Sequence, residues 1–307
     1  MGDERGNESH MKDLARNSDA ILITGPTASG KSALALKYAI DHDGVVINAD
    51  SMQVYDTLRI LTARPFEGDM KGIAHHLYGH VPATRAHSTG DWLRDVLALL
   101  PGLRRQGKLP IFVGGTGLYF KALTGGLSDM PPIAEEIRGN LRSRLKQEGA
   151  QQLHAELERR DPVVARSLKP SDGQRIVRAL EVLSATGRSI AAFQNRPGLK
   201  IIDPDRAMKL IVLPDRSILH DRINKRFASM MEQGALEEVR ALRALRPDVD
   251  VPAMKAIGVQ QIADMLDGRM TSEMVIERAS ALTRQYAKRQ MTWFRNQMDE
   301  SWERIDP

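Results

Sequence analysis

Residues 25–32, Gly25-Pro26-Thr27-Ala28-Ser29-Gly30-Lys31-Ser32, constrain the fold of this chain more than any other stretch. They fit the phosphate-binding loop pattern G-x-x-x-x-G-K-[ST], which works only between a strand and a helix. That context is present: an apolar run, 20–23, comes before it, and an alanine- and leucine-rich segment, 33–40, comes after it. Gly25 and Gly30 permit a tight turn in which backbone N–H groups converge on phosphate oxygens at a helix N-terminus. Lys31 supplies a cation, and the Ser32 hydroxyl can reach a magnesium ion. The expectation is a phosphorylated ligand held by residues 25–32.

Further apolar, β-branched runs at 45–48, 111–113 and 210–213 alternate with helical patterns. The alternation predicts an α/β fold with a mostly parallel sheet. Each of the first three runs leads into polar chemistry: the phosphate loop, then Asp50-Ser51-Met52-Gln53, then Gly114-Gly115-Thr116-Gly117. Parallel sheets bind ligands beyond the carboxyl ends of their strands, so the three segments are expected to share one cleft. From residue 133 to about 187 the chain reads as helical, with stops at Gly149 and Gly187. The organisation expected is a flexible leader over 1–18, an α/β core over 19–130 and 200–307 ending in helices, and a helical insertion over 131–199. Residues 217–302 read as a long helical region broken near 247–252 and at Gly268.

Composition narrows the function classes. The 307 residues include no cysteine, which excludes disulfides, thiolate metal sites and cysteine nucleophiles. There is no run of about 18 apolar residues, so a membrane span is not expected, and a cytoplasmic enzyme fits. The net charge of +5 hints at a polyanionic partner. His75, His76 and His80 have no carboxylate at ligand spacing, and no zinc site is read there.

Asp50 follows the second strand run and is expected to face the phosphate loop. There it would either bind magnesium or accept a proton from a nucleophile; capping of a following helix is the bland reading. No later strand ends in a magnesium-binding aspartate of the kind an ATPase motor uses. Two basic helical faces stand out. Gln174, Arg175 and Arg178 group opposite Ile176, Leu180 and Leu183, and Arg284, Lys288 and Arg295 group opposite Val275, Ala279, Leu282, Tyr286 and Trp293. Solvated faces are their ordinary meaning; two in one basic chain point toward phosphate backbone contacts. Met230, Met231, Met254 and Met265 read as helix packing.

In this order, these segments resemble the tRNA dimethylallyltransferases, the adenosine-37 isopentenyl transferases. The residues are the phosphate loop, Asp50-Ser51-Met52-Gln53-Val54-Tyr55, His75-His76-Leu77 and Gly114-Gly115-Thr116-Gly117-Leu118-Tyr119, followed by Gln174-Arg175-Ile176-Val177-Arg178-Ala179-Leu180-Glu181, Tyr286-Ala287-Lys288-Arg289-Gln290 and Thr292-Trp293-Phe294. They span residues 20–295. The resemblance implies a P-loop NTPase-like core, an insertion that grips the tRNA anticodon stem–loop, and transfer of a dimethylallyl group from its diphosphate to adenine N6. It implies that residues 25–32 hold the diphosphate, with Mg2+ on Ser32, and that Asp50, Lys31, Arg226 and Thr116 are catalytic. It implies RNA contacts by Asp50, Ser51, Met52, Gln53, Thr116, Arg138, Gln174, Arg175, Ile176, Val177 and Arg178. Of Arg222 and Arg226, the latter aligns better with the family pattern. A monomer is expected.

The chain departs from the family at two places. Val259 and Gln260 stand where an aromatic and often a basic residue follow Ala256-Ile257-Gly258, and Leu61 stands where a glycine is usual. Two other readings compete: a small-molecule or nucleoside kinase using Asp50 as base, and an RNA-binding protein whose nucleotide site only tunes affinity. The large helical segment and the basic faces weigh against the first, and a carboxylate at the strand end weighs against the second.

Overall fold

A computed structural model describes residues 15, 18–128, 130–194, 198–248 and 250–306. Apart from Ala15 and Ser18, the leader expected over 1–18 lies outside the described residues. The chain divides into two compact units, Met1–Thr124 with Ile201–Pro307, and Gly125–Lys200.

The first unit carries one sheet of six strands: β1 (Ala20–Thr24), β2 (Gly44–Asn48), β3 (His75–His76), β4 (Leu109–Gly114), β5 (Ala207–Val212) and β6 (Glu303–Ile305). Their order is β3-β2-β4-β1-β5-β6, and every pairing is parallel. β1 and β2 are buried along their whole length, as expected of central strands covered on both faces. Side chains alternate between those faces. Ala20, Leu22, Ile47, Phe112 and Ile211 join one core with Trp92 and Phe120. Ile21, Ile23, Val46, Ile111 and Leu210 join another with Ala35 and Ala39. β1 lies between β4 and β5, so its C-terminal loop sits beside the ends of β4 and, one strand further, β2.

The longer helices of this unit are α1 (Lys31–Asp41), α2 (Thr89–Arg105), α3 (Gly117–Gly125), α8 (Arg216–Glu232), α9 (Ala235–Ala244), α10 (Val259–Leu266) and α11 (Ser272–Gln297). The stops expected near 247–252 and at Gly268 fall between α9 and α10 and just before α11. The long helical region does not reach Trp302: α11 ends at Gln297, and β6 follows at the sheet edge. Met230, Met231, Met254 and Met265 pack into a core between these helices and residues 52–63.

The second unit holds α4 (Glu135–Glu148), α5 (Ala150–Arg160), α6 (Pro162–Ser167) and α7 (Gly173–Thr186), with a short turn at Ala191–Gln194. Gly149 and Gly187 take the positive φ values of 82° and 67° that end α4 and α7. Asp161 and Asp172 cap α6 and α7 by accepting from the N–H groups of Val164 and Arg175. Leu153, Leu157, Ile176 and Leu180 form its core.

Candidate functional site

The phosphate loop leaves β1 through Gly25, where a Cβ would lie 2.5 Å from the Val212 carbonyl oxygen. Only glycine fits that close approach. Ala28 and Gly30 take positive φ values of 64° and 93°, curling the loop so that α1 begins without a side-chain cap. Its first N–H groups are thus left for an anion. The Ser29 hydroxyl is buried and has no partner among the described residues, while the Ser32 hydroxyl is exposed on the first turn of α1. Lys31 Nζ donates to the Pro26 carbonyl at 3.1 Å. Burial pushes the Lys31 ammonium down to about 8; the Asp50 carboxylate opposes this, and the Arg226 guanidinium adds to it. One residue of the loop is diverted: the Thr27 N–H donates to Gln290 Oε1 at 3.0 Å.

Beyond β2 the chain turns on Asn48. Its Oδ1 accepts the Asp50 N–H, and its Nδ2 donates to the Asp50 and Leu77 carbonyls. Asp50 Oδ1 accepts the Met52 N–H at 2.9 Å, so one carboxylate oxygen orients the side chain. The other, Oδ2, faces the glycine turn, 3.4 Å from where a Cβ on Gly115 would stand. Beyond β4, Thr116 Oγ1 accepts the Ser51 N–H at 2.9 Å and donates to Ser51 Oγ at 3.2 Å. Thr116 therefore braces the Asp50 segment from beneath. The three polar segments do meet, as their positions after three parallel strands predict.

The first two open onto a cavity of about 350 Å³ through Thr27, Asp50, Ser51 and Met52, whereas Thr116, expected to be catalytic, does not line it and stands behind the Asp50 segment. One wall is polar, with Thr27, Asp50, Ser51, Arg226 and Arg289; the other is apolar, with Leu61, Ile223, Phe227, Met230 and Ile257. Arg226 also lines an outer groove beside Ala28, Gly30 and Lys37, whereas Arg222 lines that groove alone. Burial, then the Arg222 charge, pushes the Arg226 guanidinium below its usual value. A site with cations on one side, a carboxylate on another and a small apolar chamber suits a ligand joining a diphosphate to a short hydrocarbon.

The profile of the family described as IPP transferase matches residues 53–297. The chain belongs to the IPP transferase family. A second profile, described as isopentenyl transferase, matches residues 18–79, which include the phosphate loop. This member is therefore a prenyl-transferring enzyme. A tRNA dimethylallyltransferase from Allorhizobium ampelinum is 68% identical over 297 residues, 97% of this chain and 98% of its own. One from Agrobacterium fabrum is 67% identical over 297 residues, covering 97% of this chain and all of its own. Among solved structures, the full-length tRNA isopentenylpyrophosphate transferase from Bacillus halodurans matches with a TM-score of 0.66 at 33% identity, over 94% of this chain and 89% of that one. A eukaryotic dimethylallyltransferase acting on tRNA matches with a TM-score of 0.76 at 28% identity, over 90% of this chain and 69% of that one. The kinase reading is not favoured.

Both departures of this IPP transferase from its family's pattern have a structural account. Leu61 stands in the apolar wall and packs where a Cβ on Gly258 would meet it at 2.7 Å. Val259 is wholly buried among the helices, and Gln260 is tied to Asp264 at 3.1 Å. Val259 thus serves packing, not stacking.

Several expected RNA contacts need correction. Ile176 and Val177 are buried in the core of the helical unit, so their side chains are not available to a ligand. Of the expected contacts on α7, Gln174 and Arg175 are exposed and Arg178 is half-exposed. Gln53 does not line the cleft; its amide nitrogen donates to the Thr62 and Ala63 carbonyls and braces that loop. Arg138, by contrast, keeps its place: its pairing with Glu135 on α4 is loose, at 3.7 Å, and leaves the guanidinium partly exposed. Of the histidines weighed as a cluster, His75 and His76 form β3, but the expectation that none has a carboxylate partner fails for His80, whose Nε2 lies 2.9 Å from Asp95 Oδ2, as does that of His87.

Other residues of the site are not among those expected there, although the sequence motif includes Tyr286 and Arg289. Tyr286, expected on the apolar side of the last helix, lines the cleft, and burial, then the nearby Asp50 charge, raises its phenol above the usual range. Lys255 and Arg289 join it in the lining. Glu238 on α9 accepts three backbone N–H groups, from Arg59 at 2.8 Å, Ile60 at 2.6 Å and Leu61 at 3.0 Å, and so shapes the loop carrying the apolar wall. Glu238→Ala is expected to cost about 1–3 kcal/mol in urea unfolding, the scale of orphaned polar groups. A loss under about 0.5 kcal/mol would count against this bracing role.

Proposed function

We propose that the protein transfers a dimethylallyl group from dimethylallyl diphosphate to N6 of adenosine 37, next to the tRNA anticodon, giving N6-(dimethylallyl)adenosine. The observation that carries this reading is the single cleft in which Asp50, the phosphate loop and a small apolar wall meet. The diphosphate sits on residues 25–32, and the prenyl group rests against Leu61, Phe227 and Met230. The adenine, flipped from the RNA stack at a cost of a few kcal/mol, enters beside Asp50 and Ser51. N6 bonds to the allylic carbon as the carbon–oxygen bond breaks; the N6 proton passes to Asp50, and the diphosphate departs onto Lys31 and Arg226.

Magnesium belongs to this proposal. The loop presents hard hydroxyl oxygens and no histidine or cysteine, a donor set that suits a small oxygen-seeking cation. Ser32 would help hold the ion, which would offset the negative charge growing on the departing diphosphate. Action as a monomer in the cytoplasm is likewise proposed; among the described residues no helix is long and apolar enough to cross a membrane. The test is direct. Unmodified tRNA, magnesium and dimethylallyl diphosphate are incubated with the protein and the nucleosides analysed by mass spectrometry. ATP consumed without RNA, and no prenylated adenosine, would overturn the reading.

The helical unit is proposed to grip the anticodon stem–loop through Arg138, Gln174, Arg175 and Arg178. The two arginines of α7 differ in what they leave behind. Arg175 is 76% exposed and only loosely paired with Asp172 at 3.4 Å. Arg178 pairs at 3.1 Å with Glu181, which is buried, so its removal also strands a buried carboxylate. Arg175→Ala is expected to reduce the salt slope of tRNA binding by about 0.7–0.9 without changing the thermal midpoint. Arg178→Ala should reduce the slope similarly and lower the midpoint. Unchanged salt dependence in both variants would exclude this face.

A further inference from the structure

Gln290 sits in the interior of α11, buried, as one of few polar side chains the helix turns inward. Its amide makes two bonds to distant backbone. Oε1 accepts the Thr27 N–H at 3.0 Å, across 263 residues, and Nε2 donates to the Gly115 carbonyl at 2.8 Å, across 175 residues. Thr27 belongs to the phosphate loop after β1, and Gly115 to the turn after β4. These strands are neighbours whose last registered pair is Thr24 with Gly114, where Thr24 Oγ1 also donates to the Gly114 carbonyl at 3.0 Å. Beyond that pair the two chains diverge and the ladder stops. The Gln290 amide spans the gap as a substitute rung, matching one donor and one acceptor that would otherwise be unsatisfied.

The turn is shaped to admit it. A Cβ on Gly115 would lie 2.3 Å from Gln290 Nε2 and 3.4 Å from Asp50 Oδ2. Gly115 is therefore a bare strip of backbone pressed between the amide and the carboxylate. The next residue, Thr116, holds Ser51, which adjoins Asp50. A path of hydrogen bonds, joined by the peptide links Gly115–Thr116 and Asp50–Ser51, runs from the phosphate loop through Gln290 and the glycine turn to the Asp50 segment.

We propose that Gln290 is a positioning residue that sets the distance between the seat of the diphosphate and the seat of the attacking amine. This rests on the proposed function, because it assigns a reactant to each end of the bridge. Binding of either substrate alone needs only one end. The transfer step needs both at a fixed separation, and small misplacements of reacting groups cost about 10²-fold in rate.

Gln290→Met keeps the length and removes both bonds. Single-turnover prenyl transfer at saturating substrates should fall about 10²-fold, while tRNA and dimethylallyl diphosphate, each titrated alone, should bind within a few-fold of wild type. Gln290→Glu provides the independent arm. Ionised, it keeps the acceptor for Thr27 but repels the Gly115 carbonyl; protonated, it restores a donor. Its rate relative to wild type at the same pH should therefore rise as pH falls from about 8 to about 6, because burial beside a carbonyl favours the neutral acid.

A Gln290→Met protein with a near-normal saturated rate would overturn the proposal, as would one that loses affinity for both substrates while the saturated rate stays normal. If Gln290→Met does not fold, a pH-independent ratio for Gln290→Glu overturns it instead. If the wild-type protein transfers no prenyl group to tRNA, the functional reading fails; an active wild type with an indifferent Gln290 defeats only this inference.

Discussion

Asp50→Ala is expected to slow the prenyl-transfer step about 10²–10⁴-fold, the usual contribution of a positioned base, while leaving substrate affinities nearly intact. The exocyclic amine of adenine is a poor nucleophile because its lone pair is delocalised into the ring. It becomes acidic as it bonds to carbon, so a carboxylate within reach need only accept the proton late. Asp50 is held ready to do so. Asn48 fixes its backbone, Met52 N–H holds Oδ1, and Oδ2 faces the glycine turn at the edge of the cleft. A magnesium-binding role for Asp50 predicts another pattern. Its removal would then weaken diphosphate binding and raise the magnesium requirement, with the saturated rate little changed. Single-turnover rates measured beside equilibrium titrations of both substrates separate the two, and the second pattern would sink the base assignment.

Lys31→Ala is expected to lower turnover by about 10²–10³-fold, comparable to removing a preorganised donor from a developing anion. Carbon–oxygen cleavage places new negative charge on the diphosphate; Lys31 is a half-buried cation already partly stripped of its water, and the exposed Arg226 guanidinium stands at the rim of the same cleft. Such charges stabilise the departing group without first reorganising solvent. The depressed Lys31 value of about 8 adds a pH signature. In the ligand-free protein the ammonium is lost as pH rises through about 8, and a bound diphosphate favours the charged form. Binding at about pH 9 should therefore take up a proton, read by calorimetry in buffers of different ionisation enthalpy. Lys31→Met should abolish the uptake. The sign for stability follows from the same shift. Between about 8 and the ordinary 10.5 the unfolded chain binds more protons at this site than the folded one, so Lys31 makes the free protein more stable as pH rises through that window. Wild-type turnover in Lys31→Ala, or proton uptake that persists in Lys31→Met, would contradict the assignment.

The parts of the site that are legible in the sequence share a physical basis. Residues 25–32 act through the geometry of one short loop, and Asp50 and Thr116 follow central strands whose apolar runs are long enough to recognise. β3 and β6, two and three residues long at the sheet edges, are not legible, because so few residues carry no periodicity. That is why the last helical pattern reads on through Trp302. The inward face of α7 is visible in its spacing, yet the family motif brings Ile176 and Val177 into the expected RNA contacts; burial separates them from Gln174, Arg175 and Arg178.

By itself the sequence determined that this chain builds an α/β core around a phosphate loop, with a carboxylate and a glycine turn at the ends of neighbouring strands. Local rules suffice for that, since strand, turn and helix N-terminus are decided within a few residues. Only the tertiary structure decided that Glu238 shapes the apolar wall, that Tyr286 faces the cleft, and that Gln290 joins the phosphate loop to the glycine turn. Those roles join residues far apart in the chain: Glu238 meets N–H groups of residues 59–61 and Gln290 meets groups left where β1 and β4 part, and such partners appear only once distant segments have been brought together.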